Sequence, residues 1–265
     1  MIIVGELLNA SRMAVRGAID SRDADAVTRV AQDQANAGAN YIDVNAGMFL
    51  GRERELLTWL VETVQAAVDC PCCIDSPDPK AIESALSVHK GQAMINSISL
   101  EKDRFDKLLP VVSGSGHKVV ALCMSDEGMP KTTDERLNIA DRLINALVGS
   151  HVPLQDIYVD PLVQPVATDA SFGVAFLDAV IRIKEQFEGV HIMCGLSNIS
   201  YGLPERTLLN RVFMAMAVAA GMDGAIINPL DNKIMAVISA AEALVGRDDY
   251  FGNYLMAFRA GRLSG

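Results

Sequence analysis

Carboxylates and amides recur at one kind of place in this sequence, at the ends of short β-branched and apolar runs. Glu6 and Asn9 close the first run, Asp43 and Asn45 the second, Asp75 the third and Asn96 the fourth. Ser125-Asp126, Asp160, Ser197-Asn198 and Asn228 close the other four. Any one of them is accounted for as an Asp or Asn capping the next helix. The same feature at eight strand ends points instead to a shared polar site, for a divalent cation or a polar heterocycle. A cation site gathers carboxylates or histidines at close range. The four histidines, His89, His117, His151 and His191, fall in helix tails or just ahead of β-rich runs, at the opposite end, and are expected on the surface. Asp75, Asn96 and Asp160 mix acceptors with donors, which matches the edge of a 2-amino-4-oxo pyrimidine. Carboxylates accept from its amino group and ring N–H, and an amide pairs with a ring N or O. No metal site is expected.

Cysteine chemistry gives no stronger alternative. The five cysteines are Cys70, Cys72, Cys73, Cys123 and Cys194, an odd number that argues against a disulfide framework. Cys70-Pro-Cys-Cys contains no Cys-x2-Cys pair and has no histidine near it in sequence, so zinc is disfavoured. Cys73, Cys123 and Cys194 lie in β-rich runs, where small buried thiols are common.

The elements that must position these residues alternate regularly. β-rich runs at 2–5, 41–44, 72–75, 93–96, 119–123, 157–160, 191–195 and 224–228 read as strands. Amphipathic or Ala-rich stretches at 23–37, 52–68, 80–89, 101–113, 134–149, 172–187, 208–220 and 231–245 fill the gaps as helices. No Pro/Gly/Ser-rich linker interrupts the series. The pattern predicts an α/β fold, one single-domain (β/α)8 TIM barrel over residues 1–265, with a doubly wound sheet as the alternative. In a barrel every strand end named above meets at the C-terminal mouth, where such folds carry out their chemistry. Half the residues are hydrophobic and only 5% aromatic, which suits a parallel sheet covered by helices. The net charge of −10 argues against a nucleic-acid partner. Met1 leads directly into Ile-Ile-Val-Gly-Glu with no basic leader, and the longest apolar run, 212–222, falls short of the ~18 residues of a membrane span. A cytoplasmic protein without a membrane partner is expected.

Seven segments in order carry a family resemblance. They are Gly5-Glu-Leu-Leu-Asn, Asp43-Val-Asn-Ala-Gly, Ile74-Asp-Ser, Ala93-Met-Ile-Asn-Ser, Tyr158-Val-Asp-Pro-Leu, Gly195-Leu-Ser-Asn-Ile-Ser and Leu209-Asn-Arg-Val-Phe-Met-Ala-Met-Ala. In these the chain resembles the pterin-binding methyltransferases. These comprise the methyltetrahydrofolate:corrinoid/iron–sulfur protein methyltransferases and the folate module of cobalamin-dependent methionine synthase. The resemblance implies tetrahydrofolate or 5-methyltetrahydrofolate as substrate, a corrinoid (cobalamin) carried by a partner protein, and a homodimer. It implies that Asp75, Asn96 and Asp160 hold the pterin. Asp43 and Asn45 would lie under the ring, Gly195 and Ser197 beside it, and Arg206 beyond the loop of the seventh strand. Asn198 matches the asparagine that reaches N5 of the folate and so takes the catalytic role. The chain departs from the family at Leu7, where Arg is frequent, and at Tyr201-Gly-Leu-Pro, where a more polar loop is usual.

Asparagine suits that role. A tertiary amine leaves poorly, and a hydrogen bond to N5 that strengthens in the transition state lowers the barrier without storing a proton. Lys131 and Arg206 each read equally as partners for the glutamate tail of a folate or as solvated surface charges. Two rival functions remain open on sequence, a dihydropteroate-synthase-like pterin enzyme and a non-catalytic folate-binding module of a corrinoid assembly.

Overall fold

The computed structural model describes residues 1–263. Eight strands form one parallel sheet: β1 (Ile2–Asn9), β2 (Tyr41–Asn45), β3 (Cys72–Asp75), β4 (Met94–Leu100), β5 (Lys118–Ser125), β6 (Ile157–Asp160), β7 (His191–Ile192) and β8 (Gly224–Ile227). The order runs β7-β6-β5-β4-β3-β2-β1-β8. Beyond β7 the chain returns to the ladder at Gly195, which bridges in parallel to Ile226 and closes the TIM barrel. Ten helices surround it: α1 (Met13–Ser21), α2 (Ala24–Asn36), α3 (Glu53–Ala67), α4 (Pro79–Val88), α5 (Lys102–Val112), α6 (Thr133–Gly149), α7 (Phe172–Gln186), α8 (Arg206–Ala220), α9 (Asn232–Leu244) and α10 (Gly252–Arg259).

Alternation along each strand separates two apolar sets. Ile42, Val44, Cys72, Ile74, Val119, Ala121, Ile157 and Val159 face outward and pack with the helices in one large core. Val4, Tyr41, Cys73, Met94, Val120, Tyr158 and Met193 face inward and plug the lumen. Local signals start the helices. Asp23 accepts from the Ala26 N–H at 3.0 Å, Asp78 from the Lys80 N–H at 3.0 Å, and Asp231 from the N–H groups of Lys233 and Ile234 at 3.0 and 3.2 Å. Thr132 and Glu135 form a reciprocal capping box at α6.

Three features depart from expectation. The seventh strand is two residues rather than five, because the chain turns out of the ladder after Ile192. Helices α1 and α10 lie outside the eight predicted helical stretches, and neither has a side-chain cap at its start. Three of the histidines are half-buried rather than on the surface. His89 Nε2 accepts from the Cys72 N–H at 3.0 Å and His117 Nδ1 from the Ala93 N–H at 3.2 Å, each satisfying an unpaired donor at the start of a strand. Burial lowers the pKa of both. His191 pairs with Asp223 at 3.0 Å and stacks on Tyr158 at 4.6 Å, and only His151 is exposed.

Candidate active site

The site follows from the lumen plug by counting two residues along each strand. From Val4 the next inward position is Glu6, and from Tyr41 it is Asp43 and then Asn45. Cys73 leads to Asp75, Met94 to Asn96 and Tyr158 to Asp160. Register holds these positions together, with Asn45 opposite Asp75 and Asp75 opposite Asn96. The apolar plug is therefore roofed by a layer of carboxylates and amides at the mouth.

Asn45 organises one side of that layer. Its Nδ2 donates to Asp75 Oδ2 at 2.9 Å, and its Oδ1 accepts from the Gly47 N–H at 2.9 Å. Asp75 is raised above the usual carboxylate range, by burial first, against the lowering effects of Asn45 and Arg104. Asp43 is raised well above it, by burial and then by the neighbouring Asp75. Asp43 is 2% exposed, and its Oδ1 has no hydrogen-bond partner among the described residues. A buried acceptor left open at the base of a site is an invitation to a ligand N–H. On the other side, Asp160 Oδ1 accepts from the Leu162 N–H at 2.8 Å. Burial pushes its pKa up to about 7, despite the N–H groups of Leu162 and Gly195 and the charge of Arg136.

Asn198 lies on a 3-10 turn, Leu196–Ser200, between β7 and α8. Asn198 is exposed, and a Cβ on Gly195 would sit 3.6 Å from its Nδ2. Ser197 is likewise exposed. Arg206, at the start of α8, donates from Nη2 to the Ser197 carbonyl at 2.8 Å and from Nε to Ser200 Oγ at 3.1 Å, with its guanidinium over the Tyr201 ring. It braces the turn that presents Asn198. A cavity of about 80 Å3 beside this turn is lined by Glu6, Ser197, Asn210 and Asn228.

Not every polar strand end joins the layer. Asn9 Oδ1 accepts from Ser11, Asp126 from the Lys102 N–H, and Asn228 Oδ1 from the Leu230 N–H, each as a turn or helix cap. Lys131 is exposed beside the start of α6. Two arginines that the sequence reading did not single out tie the mouth together. Arg104 on α5 donates to the carbonyls of Ser97, Pro77 and Ser76, bridging β4 to the loop after β3. Arg136 on α6 donates to the carbonyls of Pro161, Leu162 and Thr132. Nothing in their spacing marks them, because carbonyl partners leave no trace in a sequence. Among the described residues no three His, Cys, Asp or Glu side chains gather in a way that would hold a metal ion.

Residues 5–228 match the family model described as pterin binding enzyme. The chain is 36% identical over 265 residues to the methylcorrinoid:tetrahydrofolate methyltransferase of Eubacterium limosum, covering 99% of this chain and 98% of that one. It is 30% identical over 242 residues to methionine synthase of Mycobacterium tuberculosis, a match that takes in 86% of this chain but only 20% of that protein. Among solved structures, a dihydropteroate synthase from Clostridium difficile in the presence of pteroic acid superposes with a TM-score of 0.74 at 18% identity, covering 92% of this chain and 96% of that one. The 7,8-dihydropteroate synthase of Vibrio fischeri does so at 0.70 and 14%, over 92% and 93%. At such identities these two speak to the fold alone.

Proposed function

The chain belongs to the pterin-binding enzyme family, and from that premise we propose that it transfers a methyl group between a corrinoid carried by a separate protein and N5 of tetrahydrofolate. The observation that carries this reading is the pairing of a carboxylate and amide layer, with Asp43 and Asp160 buried and the rest partly so, with an exposed Asn198 on the turn beside it. The end-to-end similarity to a methylcorrinoid:tetrahydrofolate methyltransferase supports it, and that relative's name favours methylcorrinoid as donor.

In this reading Asp75 and Asp160 accept hydrogen bonds from the amino group and ring N–H of the pterin, and Asn96 pairs with its remaining ring atoms. Asp43 and Asn45 close the base of the pocket, and Gly195 and Ser197 flank it. The corrinoid supplies a cobalt that carries methyl and keeps both electrons of the cobalt–carbon bond when methyl leaves. The N5 lone pair forms the new bond, and the N5 proton is released. The Asn198 amide oxygen accepts from N5–H and aims the lone pair at the incoming carbon. In the reverse direction N5 first takes up a proton from solvent, and the same contact to Asn198 holds that N5–H as the bond to carbon breaks. Asn198 acts by fixed dipole rather than by titration. Arg206 serves the pocket by holding the turn that carries Ser197 and Asn198.

The homodimer and the cytoplasmic setting belong to the same proposal. On α8, Leu208, Val212 and Met216 form an exposed stripe at a spacing of four residues, which supports a subunit contact. The five cysteines are free thiols, as suits a reducing compartment. A dihydropteroate synthase needs cations free to meet a pyrophosphate. Here Arg206 is engaged with Ser197 and Ser200, and Arg211 with Asp231 at 3.1 Å. The test is an anaerobic incubation with tetrahydrofolate and a corrinoid protein bearing a 13C-methyl group. Labelled 5-methyltetrahydrofolate is expected. Product from a dihydropterin pyrophosphate and p-aminobenzoate instead would overturn the proposal.

A further inference from the structure

Arg136 is 0% exposed. A buried guanidinium is costly unless its donors are satisfied, and here all three nitrogens donate to backbone carbonyls. Nε reaches Pro161 O at 2.9 Å, Nη2 reaches Leu162 O at 3.3 Å, and Nη1 reaches Thr132 O at 3.1 Å. The first two belong to the residues that directly follow Asp160. The third lies at the N-cap of the helix that carries Arg136 itself, so the fork is fixed at its base.

What that fork holds is an unfavourable turn. Leu162 has a φ of 65°, in the left-handed region that a bulky residue avoids without support. In that conformation its N–H points back at Asp160 Oδ1, 2.8 Å away. A second strap, from Gln164 Nε2 to Pro130 O at 2.6 Å, joins the same two loops. We propose that Arg136 is a positioning residue for the pterin-binding carboxylate of Asp160, acting through the turn at 161–162 without touching the ligand. The inference rests on the pterin reading of Asp160 given above. The arginine's charge also favours the ionised form of that carboxylate against burial. The other groups around Asp160 are the thiols of Cys123 on β5 and Cys194 after β7, both kept protonated by burial, and the Gly195 N–H.

Tetrahydrofolate binding, measured by calorimetry across pH 5.5–8 in the full chain, tests this with Arg136→Lys and Arg136→Gln, each in the native and the Asp160→Ala background. In the native background both variants are expected to weaken binding by about tenfold or more, and with Asp160→Ala by less than about twofold. Arg136→Gln should also move the pH midpoint of binding upward, while Arg136→Lys, which keeps the charge, should leave it in place. Equal losses in the two backgrounds would show general damage and overturn the proposal, as would unchanged affinity. If neither variant folds, each is combined with Leu162→Gly, because glycine takes up the left-handed turn without support. The double variant must then fold and bind tetrahydrofolate more tightly than it does with Asp160→Ala added, or the proposal fails. A native protein that binds no tetrahydrofolate at any pH would instead bring down the pterin reading itself.

Discussion

A carboxyl group shut away from water keeps its proton longer, and Asp160 at the end of β6 is pushed up to about 7 for that reason. A pterin N–H bonds more strongly to the ionised form than to the acid, so below the unbound pKa ligand entry is coupled to loss of one proton. Tetrahydrofolate affinity is therefore expected to fall about tenfold per pH unit below 7 and to level off above it. Asp75, also raised by burial, acts in the same direction. Calorimetry in two buffers of different ionisation heat reads the proton release. Affinity that rises on acidification would contradict the assignment. Asn198 has the opposite character, exposed and without charge. Asn198→Ala should leave folate affinity within about threefold while lowering single-turnover methyl transfer by roughly 10²–10³, the usual scale for a lost transition-state hydrogen bond. The place of Asp75, Asn96 and Asp160 at the mouth was legible in the sequence because each closes a β-rich run. Arg104 and Arg136 were not, because their partners are backbone carbonyls of distant loops.

At the scale of elements, the strands announced themselves through β-branched runs, four helices (α2, α4, α6 and α9) through their caps, and others through apolar periodicity alone. What stayed hidden depended on tertiary contact. Strand β7 stops after two residues because Gly195 rather than Met193 resumes the ladder with β8. The half-buried histidines follow from strand ends that need acceptors, which no local pattern reveals. The join of β1 to α2 is a further case. A Cβ on Gly5 would lie 2.5 Å from Gln34 Oε1, the atom that accepts from the Leu7 N–H at 2.9 Å. Gly5→Ala must push Gln34 aside and break that bond, at a cost of about 1–3 kcal/mol. Urea denaturation measures it, and a loss below about 0.5 kcal/mol would show that Gln34 moves freely.

For the whole molecule, the barrel with its mouth was readable from eight alternations of strand and helix, whereas the exposed stripe on α8 shows only once that helix is packed. If that stripe joins two chains, Val212→Glu with Met216→Lys should give monomers in sedimentation equilibrium, with folate binding retained. A native protein that is monomeric at micromolar concentration would remove the dimer from the account. The central claim is that this mouth passes methyl between cobalt and N5. Its most direct test is anaerobic stopped-flow absorbance of the protein mixed with a methylated corrinoid protein and tetrahydrofolate. The account predicts loss of the methyl-Co(III) band with matching appearance of Co(I), dependent on tetrahydrofolate and slowed by Asn198→Ala. An unchanged spectrum with several corrinoid proteins, in both directions of transfer, would contradict it.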